Sequence, residues 1–154
     1  MTGFVVDTML GTLAKWLRAF GYDTSYMPHA KDDDLLAIAA EESRVLLTRD
    51  RELASRAGNT GMLVPGKSLD EQLRMVVGSF PERGSKPLSR CLSCNALLEI
   101  AQKDSNVMGG KVPAGVLARE SEFWFCPSCG KYFWPGSHYV AMMRKVQSFF
   151  PDEV

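Results

Sequence analysis

The first half of the chain alternates short apolar runs with stretches of helical periodicity. Phe4-Val5-Val6 has the pattern of a buried strand and ends at Asp7. Leu10, Leu13, Ala14 and Leu17 then recur at i, i+3, i+4 and i+7, one face of a helix. Gly21 is placed to stop that helix in a left-handed conformation. Tyr22 to Met27 predicts a second strand, closed by Pro28. Asp32 stands where an N-cap belongs, ahead of a helix with Leu35, Leu36, Ala39 and Ala40 on its apolar side. Val45-Leu46-Leu47 predicts a strand running into Thr48-Arg49-Asp50, followed by a helical turn from Arg51 to Ala57 and a strand at Met62-Leu63-Val64. Ser68-Leu69-Asp70-Glu71 has the form of a capping box and opens a helix to about Val77. Strands separated by helices need crossover connections, so the expected fold class is α/β, with a mainly parallel sheet flanked by helices.

The pattern changes after Gly78. Residues 79–89 carry two prolines and a glycine among serines and charges, which is linker composition. Beyond them come cysteines, aromatics and glycines. The expected organisation is an α/β domain over 1–78, a linker over 79–89 and a small cysteine-bearing unit with a final helix over 90–150. No run approaches the roughly 18 consecutive apolar residues of a membrane span. The start of the sequence also lacks the basic and apolar regions of a secretory signal, so the expected location is cytoplasmic.

Formal charge is balanced overall, yet the stretch from Arg83 to Lys145 holds nine basic and four acidic residues. This mild basic bias is compatible with nucleic acid and equally with a solvated surface.

All four cysteines fall in two CxxC turns, Cys91-Leu92-Ser93-Cys94 and Cys126-Pro127-Ser128-Cys129, with 31 residues between them. A CxxC turn aims two sulfurs at one point, and two such turns complete a tetrahedral zinc site. Gly130 and Asn95, each directly after a turn, suit the left-handed conformation that closes such a knuckle. Four thiolates leave no position for water, so the predicted role of this zinc is structural. A redox pair calls for one such motif, and stable disulfides for an oxidising compartment. Phe123, Trp124, Phe125, Tyr132, Phe133 and Trp134 crowd the second turn; such residues form a ribbon's small core or stack on bases. With the four-sulfur set complete, His138 fits a surface or phosphate-contacting role.

Asp7 and Asp50 each follow a predicted strand, at the carboxyl end where open parallel sheets bind ligands. Asp32, Asp33 and Asp34 open a helix nearby in the topology. Carboxylates converging there repel one another unless cations lie between them, and Mg²⁺ or Mn²⁺ suits such oxygen donors. An ion so held supports phosphodiester hydrolysis. Helix capping by Asp7, Asp32 or Asp50, and dipole compensation by Asp33 and Asp34, are the competing explanations.

Val6-Asp7-Thr8-Met9-Leu10-Gly11-Thr12-Leu13-Ala14-Lys15-Trp16-Leu17-Arg18, with Gly21-Tyr22-Asp23, resembles the opening of the Mut-seven C-terminal RNase family. Leu46-Leu47-Thr48-Arg49-Asp50-Arg51-Glu52-Leu53, Ser89-Arg90-Cys91-Leu92-Ser93-Cys94-Asn95 and the stretch from Cys126 to His138 resemble its later hallmarks, in matching order. The resemblance implies a PIN-like nuclease domain over 1–78 carrying a zinc ribbon at its C-terminal end. It implies metal-dependent RNA cleavage, with Asp7, Asp32 and Asp50 as the acids that hold Mg²⁺ or Mn²⁺ and Asp33 or Asp34 as alternatives to Asp32. The fourth acid frequent in PIN domains has no clear equivalent. Lys15, Arg18, Arg49 and Arg51 lie near the proposed cleft as candidates to bind the phosphate backbone, with solubility or pairing to the aspartates as the plainer explanation. The expected partner is RNA, single-stranded, with no membrane. The alternative function is a non-catalytic RNA-, ribosome- or protein-binding module on a PIN-like scaffold.

Overall fold

The computed structural model describes residues 2–153. Strands β1 (Gly3–Val6), β2 (Thr24–Tyr26), β3 (Arg44–Thr48) and β4 (Gly61–Leu63) form one parallel sheet in the order β2-β1-β3-β4. Helices α1 (Gly11–Phe20), α2 (Asp32–Glu41), α3 (Arg51–Ala57) and α4 (Leu69–Ser79) alternate with the strands. Side chains alternate across the pleat, so neighbouring residues serve opposite layers. Phe4, Val6 and Leu47 join Leu13, Leu17, Leu73 and Val76 on one face, while Val5 and Leu46 meet Leu35, Ala39 and Leu53 on the other. Each buried leucine-sized side chain contributes on the order of 1.5–3 kcal/mol to holding these layers together.

The helix ends follow the sequence closely, with one correction. Gly21 ends α1 at φ 106°, and a Cβ there would lie 2.2 Å from the Ser85 carbonyl oxygen, so both conformation and space require glycine. Ser68 Oγ accepts from Glu71 N at the start of α4. The expected cap of α2 is displaced: Lys31 is its N-cap, Asp32 is its first residue, and Asp34 accepts from Lys31 N at 3.0 Å. The carboxylate of Asp32 is therefore free of the capping duty assigned to it.

After α4 the chain runs back over the end of α1. Arg83 donates to Phe20 O, Ser85 Oγ to Gly21 O, and Leu88 N to Ala19 O. The second sheet is antiparallel, β5 (Glu99–Ala101), β6 (Phe123–Phe125) and β7 (Tyr132–Phe133) in that order, with α5 (Ser105–Met108) and α6 (Ala114–Arg119) between the first two strands. Met108, Val112, Val116 and Phe123 form its small core. Helix α7 (Ser137–Phe149) returns to the parallel sheet's layer: Val146 enters the main core and Phe20 meets the rings of Phe149 and Phe150. Among the described residues no helix is long and apolar enough to cross a membrane.

Candidate functional site

Two groups of chemically active side chains stand out, one of sulfur and one of oxygen.

The sulfur group is already assembled. The ligand atoms of Cys91, Cys94, Cys126 and Cys129 all lie within 4.8 Å of one another. The Cys91–Cys129 and Cys94–Cys126 sulfurs are 3.6 and 3.4 Å apart. Tetrahedral ligands about 2.3 Å from a zinc ion are themselves separated by about 3.8 Å, so this set fits zinc and no disulfide is formed. The two turns repeat one construction. Asn95 N donates to Cys91 O and Gly130 N to Cys126 O, and these two residues have φ of 73° and 75°, the conformation expected of each. Burial pushes the Cys91 thiol up to about 12 and raises that of Cys126 as well. At Cys94 desolvation is outweighed by hydrogen bonds from Ala96 N–H and neighbouring side chains, which bring it down to about 7. Metal entry must therefore displace protons, and the ion's charge supplies the drive.

The first turn is also fastened to the parallel sheet. Strand β2 is an edge strand, and its Thr24 presents an N–H and a carbonyl that no neighbouring strand takes up on that side. Asn95 Oδ1 accepts from Thr24 N at 2.9 Å, and Arg18 Nε donates to Thr24 O at 2.9 Å. Asn95 Nδ2 donates to Asp23 at 2.7 Å, and Arg18 donates onward to Leu92 O inside the turn at 3.0 Å. Asp23 is held further by Arg44 at 2.9 Å. This corrects the expectation for Arg18. It is 5% exposed and committed to two backbone carbonyls, so it joins the edge strand to the first cysteine turn and is unavailable to a phosphate.

The oxygen group lies at the carboxyl edge of the parallel sheet, where β1 and β3 end. Asp7 is 7% exposed and among the described residues has no ion pair. Its side chain makes no cap bond to the 3-10 turn that follows, so capping does not explain it. Its Oδ2 accepts from Thr48 Oγ1 at 2.7 Å and its Oδ1 from Thr8 Oγ1 at 3.4 Å. The Thr48 hydroxyl in turn accepts from Asp50 N at 3.0 Å, so one buried hydroxyl links the two strand ends. Asp50 does cap α3, but Oδ1 takes both bonds, from Glu52 N and Leu53 N, leaving Oδ2 without a partner among the described residues. Asp33 pairs with Arg56 at 2.7 Å and Asp34 bonds Lys31 N, whereas Asp32 is exposed and makes neither kind of bond among the described residues. Tyr26 steadies the turn after Asp7 by donating to Thr8 O at 2.8 Å, and a Cβ on Gly11 would lie 2.8 Å from that phenol oxygen. Lys15, Arg49 and Arg51 are exposed and hold no side-chain bond among the described residues. The carboxylates are less gathered than the sulfurs: among the described residues the cysteines alone form a group of three or more within 4.8 Å.

The part of Thr48 and Tyr26 at the acidic edge, and the tie of Asn95 to the parallel sheet beyond its expected closing of the turn, were not foreseen from the sequence. A threonine closing the apolar run Val45-Leu46-Leu47 two residues before an acidic cap was the available signal for Thr48. The tie made by Asn95 and the bond from Tyr26 depend on contacts between distant segments and had none. No curated protein and no solved structure shows significant similarity to the chain. The family model for the Mut7-C RNAse domain matches residues 2–146, which spans both sheets and all four cysteines, and the chain belongs to that family.

Proposed function

We propose that this chain is a Mg²⁺- or Mn²⁺-dependent ribonuclease of PIN-like architecture that hydrolyses single-stranded RNA at the acidic edge, with a zinc-loaded ribbon helping to hold the RNA. The observation that carries the proposal is Asp7: a nearly buried carboxylate with no cationic partner, joined through Thr48 to the start of the segment bearing Asp50. An unpaired carboxylate in so dry a place is costly, and a divalent cation offsets that cost. Asp7, the free Oδ2 of Asp50 and the unpaired Asp32 are the oxygen donors that would hold it, a set suited to a hard ion. When bound, such an ion stabilises charge developing on the phosphate and activates water.

The protein's own groups do the rest. Thr48 holds the Asp7 carboxylate in one orientation, and Lys15, Arg49 and Arg51 attract and position the phosphate backbone. Hydrolysis by water leaves a 5′-phosphate and a 3′-hydroxyl and makes no use of the 2′-OH. A reducing compartment such as the cytoplasm suits the four free thiols.

One observation favours a second reading, a non-catalytic RNA-, ribosome- or protein-binding module: the carboxylates are spread more widely than a direct ligand set. Cleavage of labelled single-stranded RNA, with and without Mn²⁺, by zinc-loaded wild type and Asp7→Asn separates the two. Metal-dependent cleavage that disappears in Asp7→Asn is the expected result. A folded, zinc-loaded wild type that cuts none of several RNAs would transfer the assignment to the binding module.

A further inference from the structure

Away from the acidic edge, a cleft of about 430 Å³ lies between α1, the two cysteine turns and the start of α7. Its charged lining is one-sided: Lys15, Arg90, Arg119 and Lys131, with His138 and no acidic residue. Arg90 is fixed by bonds to Ser85 and Asn95 O. Lys131 reaches the neutral Ser93 hydroxyl, Arg119 has a distant partner in Glu120 at 3.8 Å, and Lys15 has no partner among the described residues. Aromatic side chains share the rest of the wall with Leu88, Leu92, Leu98 and Met142. Trp124 and Tyr139 lie parallel, 9° between planes and 5.6 Å between centres, and Phe133 and Trp134 stand beside them, all partly exposed. Phe123, by contrast, is consumed by the small core.

Cations of which Lys15 and Lys131 have no acidic partner among the described residues, interleaved with accessible flat rings, are what a single strand requires: phosphates meet the cations and unpaired bases stack on the rings. A duplex keeps its bases stacked inward and offers only the first of these. The volume suits a ligand the size of a nucleotide. Lys15 also connects the cleft with the acidic edge, since it stands one turn, about 6 Å of helix rise, beyond Gly11, where α1 begins beside Asp7.

We infer that this cleft binds an unpaired nucleotide of a single-stranded RNA, its base extending the Trp124–Tyr139 stack and its flanking phosphates on Lys15, Arg119 and Lys131. The inference deepens the ribonuclease proposal by naming where the substrate is gripped, and binding can be measured without cleavage.

The test uses full-length, zinc-loaded protein carrying Asp7→Asn, without added divalent metal. Fluorescence anisotropy follows a labelled ten-nucleotide oligouridine, and tryptophan emission follows stacking. Binding should weaken with salt and quench tryptophan emission. Lys15→Glu with Lys131→Glu should lower affinity at least about tenfold, and Tyr139→Ala should lower it about five- to tenfold and reduce the quenching, with zinc content and circular dichroism unchanged. Unchanged affinity in both folded variants, equal affinity for a ten-base-pair duplex, or tighter binding of polyglutamate would overturn the assignment. If the cleft variants lose binding while a wild type with Asp7 intact never cleaves, the cleft stands and the nuclease proposal fails. If wild type cleaves and the cleft variants bind normally, the reverse holds.

Discussion

On the assignment proposed above, the cysteine cluster and the acidic edge face the same electrostatic problem, like-charged ligands that must act together, and meet it in opposite ways. At the cysteines the backbone does the gathering. Each CxxC turn fixes two sulfurs locally, and Asn95 and Gly130 close the turns in matching conformations. At the acidic edge the gathering is left to topology. Asp7 and Asp50 follow separate strands, Asp32 opens a helix, and among the described residues only the Thr48 hydroxyl joins any two of them. A structural site benefits from rigid closure, whereas a site that must admit a phosphate and change its contacts during reaction needs open coordination. The difference therefore predicts unequal penalties for losing one ligand.

The largest effect belongs to the cysteines. Cys126→Ser removes a buried ligand of a closed set, and structural zinc sites contribute about 10–16 kcal/mol of apparent binding free energy. The expected outcome is protein that purifies with little zinc and loses the β5-β6-β7 sheet, read by metal analysis and amide exchange. Full zinc content with normal protection of β6 would refute the closed-site description. Acid should act in the same direction, because protons compete for the thiolates.

The acidic edge should respond in function and scarcely in fold. Asp7→Asn removes a candidate ion ligand and should abolish cleavage, yet the buried charge it replaces is itself costly, so the melting temperature should stay level or rise. Thr48→Val is the sharper probe, since it keeps the acid and removes only the hydroxyl that orients it. Loss of an orienting partner typically lowers metal affinity or activity by about 10–100-fold. A raised Mn²⁺ requirement is the signature of positioning. An Asp7→Asn protein that cleaves normally, or a Thr48→Val protein with an unchanged Mn²⁺ dependence, breaks the comparison on this side.

The same contrast governs what the sequence disclosed. The gathering of the four cysteines was legible because CxxC spacing and the residue after each turn are local, and so were the α1 face and its Gly21 stop. The sheet flanked by helices followed from the continuous apolar runs at Phe4-Val5-Val6 and Val45-Leu46-Leu47 and the helical stretches between them. Asp32 as a cap was wrong by one residue, since capping depends on backbone angles that a run of three aspartates does not distinguish. Arg18 was misassigned for a different reason. Its helix position gives no sign that a knuckle 74 residues later will cover it and use its guanidinium. Aromatics near the second turn divide between core and cleft wall, a division that only the packing of α5 and α6 decides.

Asn95→Ala tests whether the two regions are mechanically joined. The substitution frees Thr24 N and one side of Asp23 and places alanine at φ 73°. Left-handed strain of about 1–2 kcal/mol adds to about 1–3 kcal/mol for an unmet buried group. The protein should lose about 2–5 kcal/mol of stability while keeping its zinc, with faster amide exchange in β2. If only the ribbon loosens and β2 exchange is unchanged, the sheet edge does not depend on the knuckle.

The smallest effect is a pH dependence of that joint. Desolvation works to raise the Asp23 carboxyl, but hydrogen bonds from Arg44 and Asn95 and the charges of Arg44 and Arg90 outweigh it and hold the group below the usual carboxylate range. A carboxyl lowered on folding adds stability that is present above its unfolded value, near about 3.9, and is lost as pH falls through the folded one. The Asp23 side chain is 42% exposed, so solvent screens the pair and the contribution is modest. Asp23→Asn should therefore lower stability at neutral pH and flatten its decline below about pH 4. Zinc loss also sets in on acidification, so the comparison is made on amide exchange in β1 and β2 at pH values where both proteins retain metal. Parallel declines in the two proteins would mean that Asp23 keeps its ordinary affinity for protons, and that the joint relies on Arg18 and the backbone of Thr24 alone.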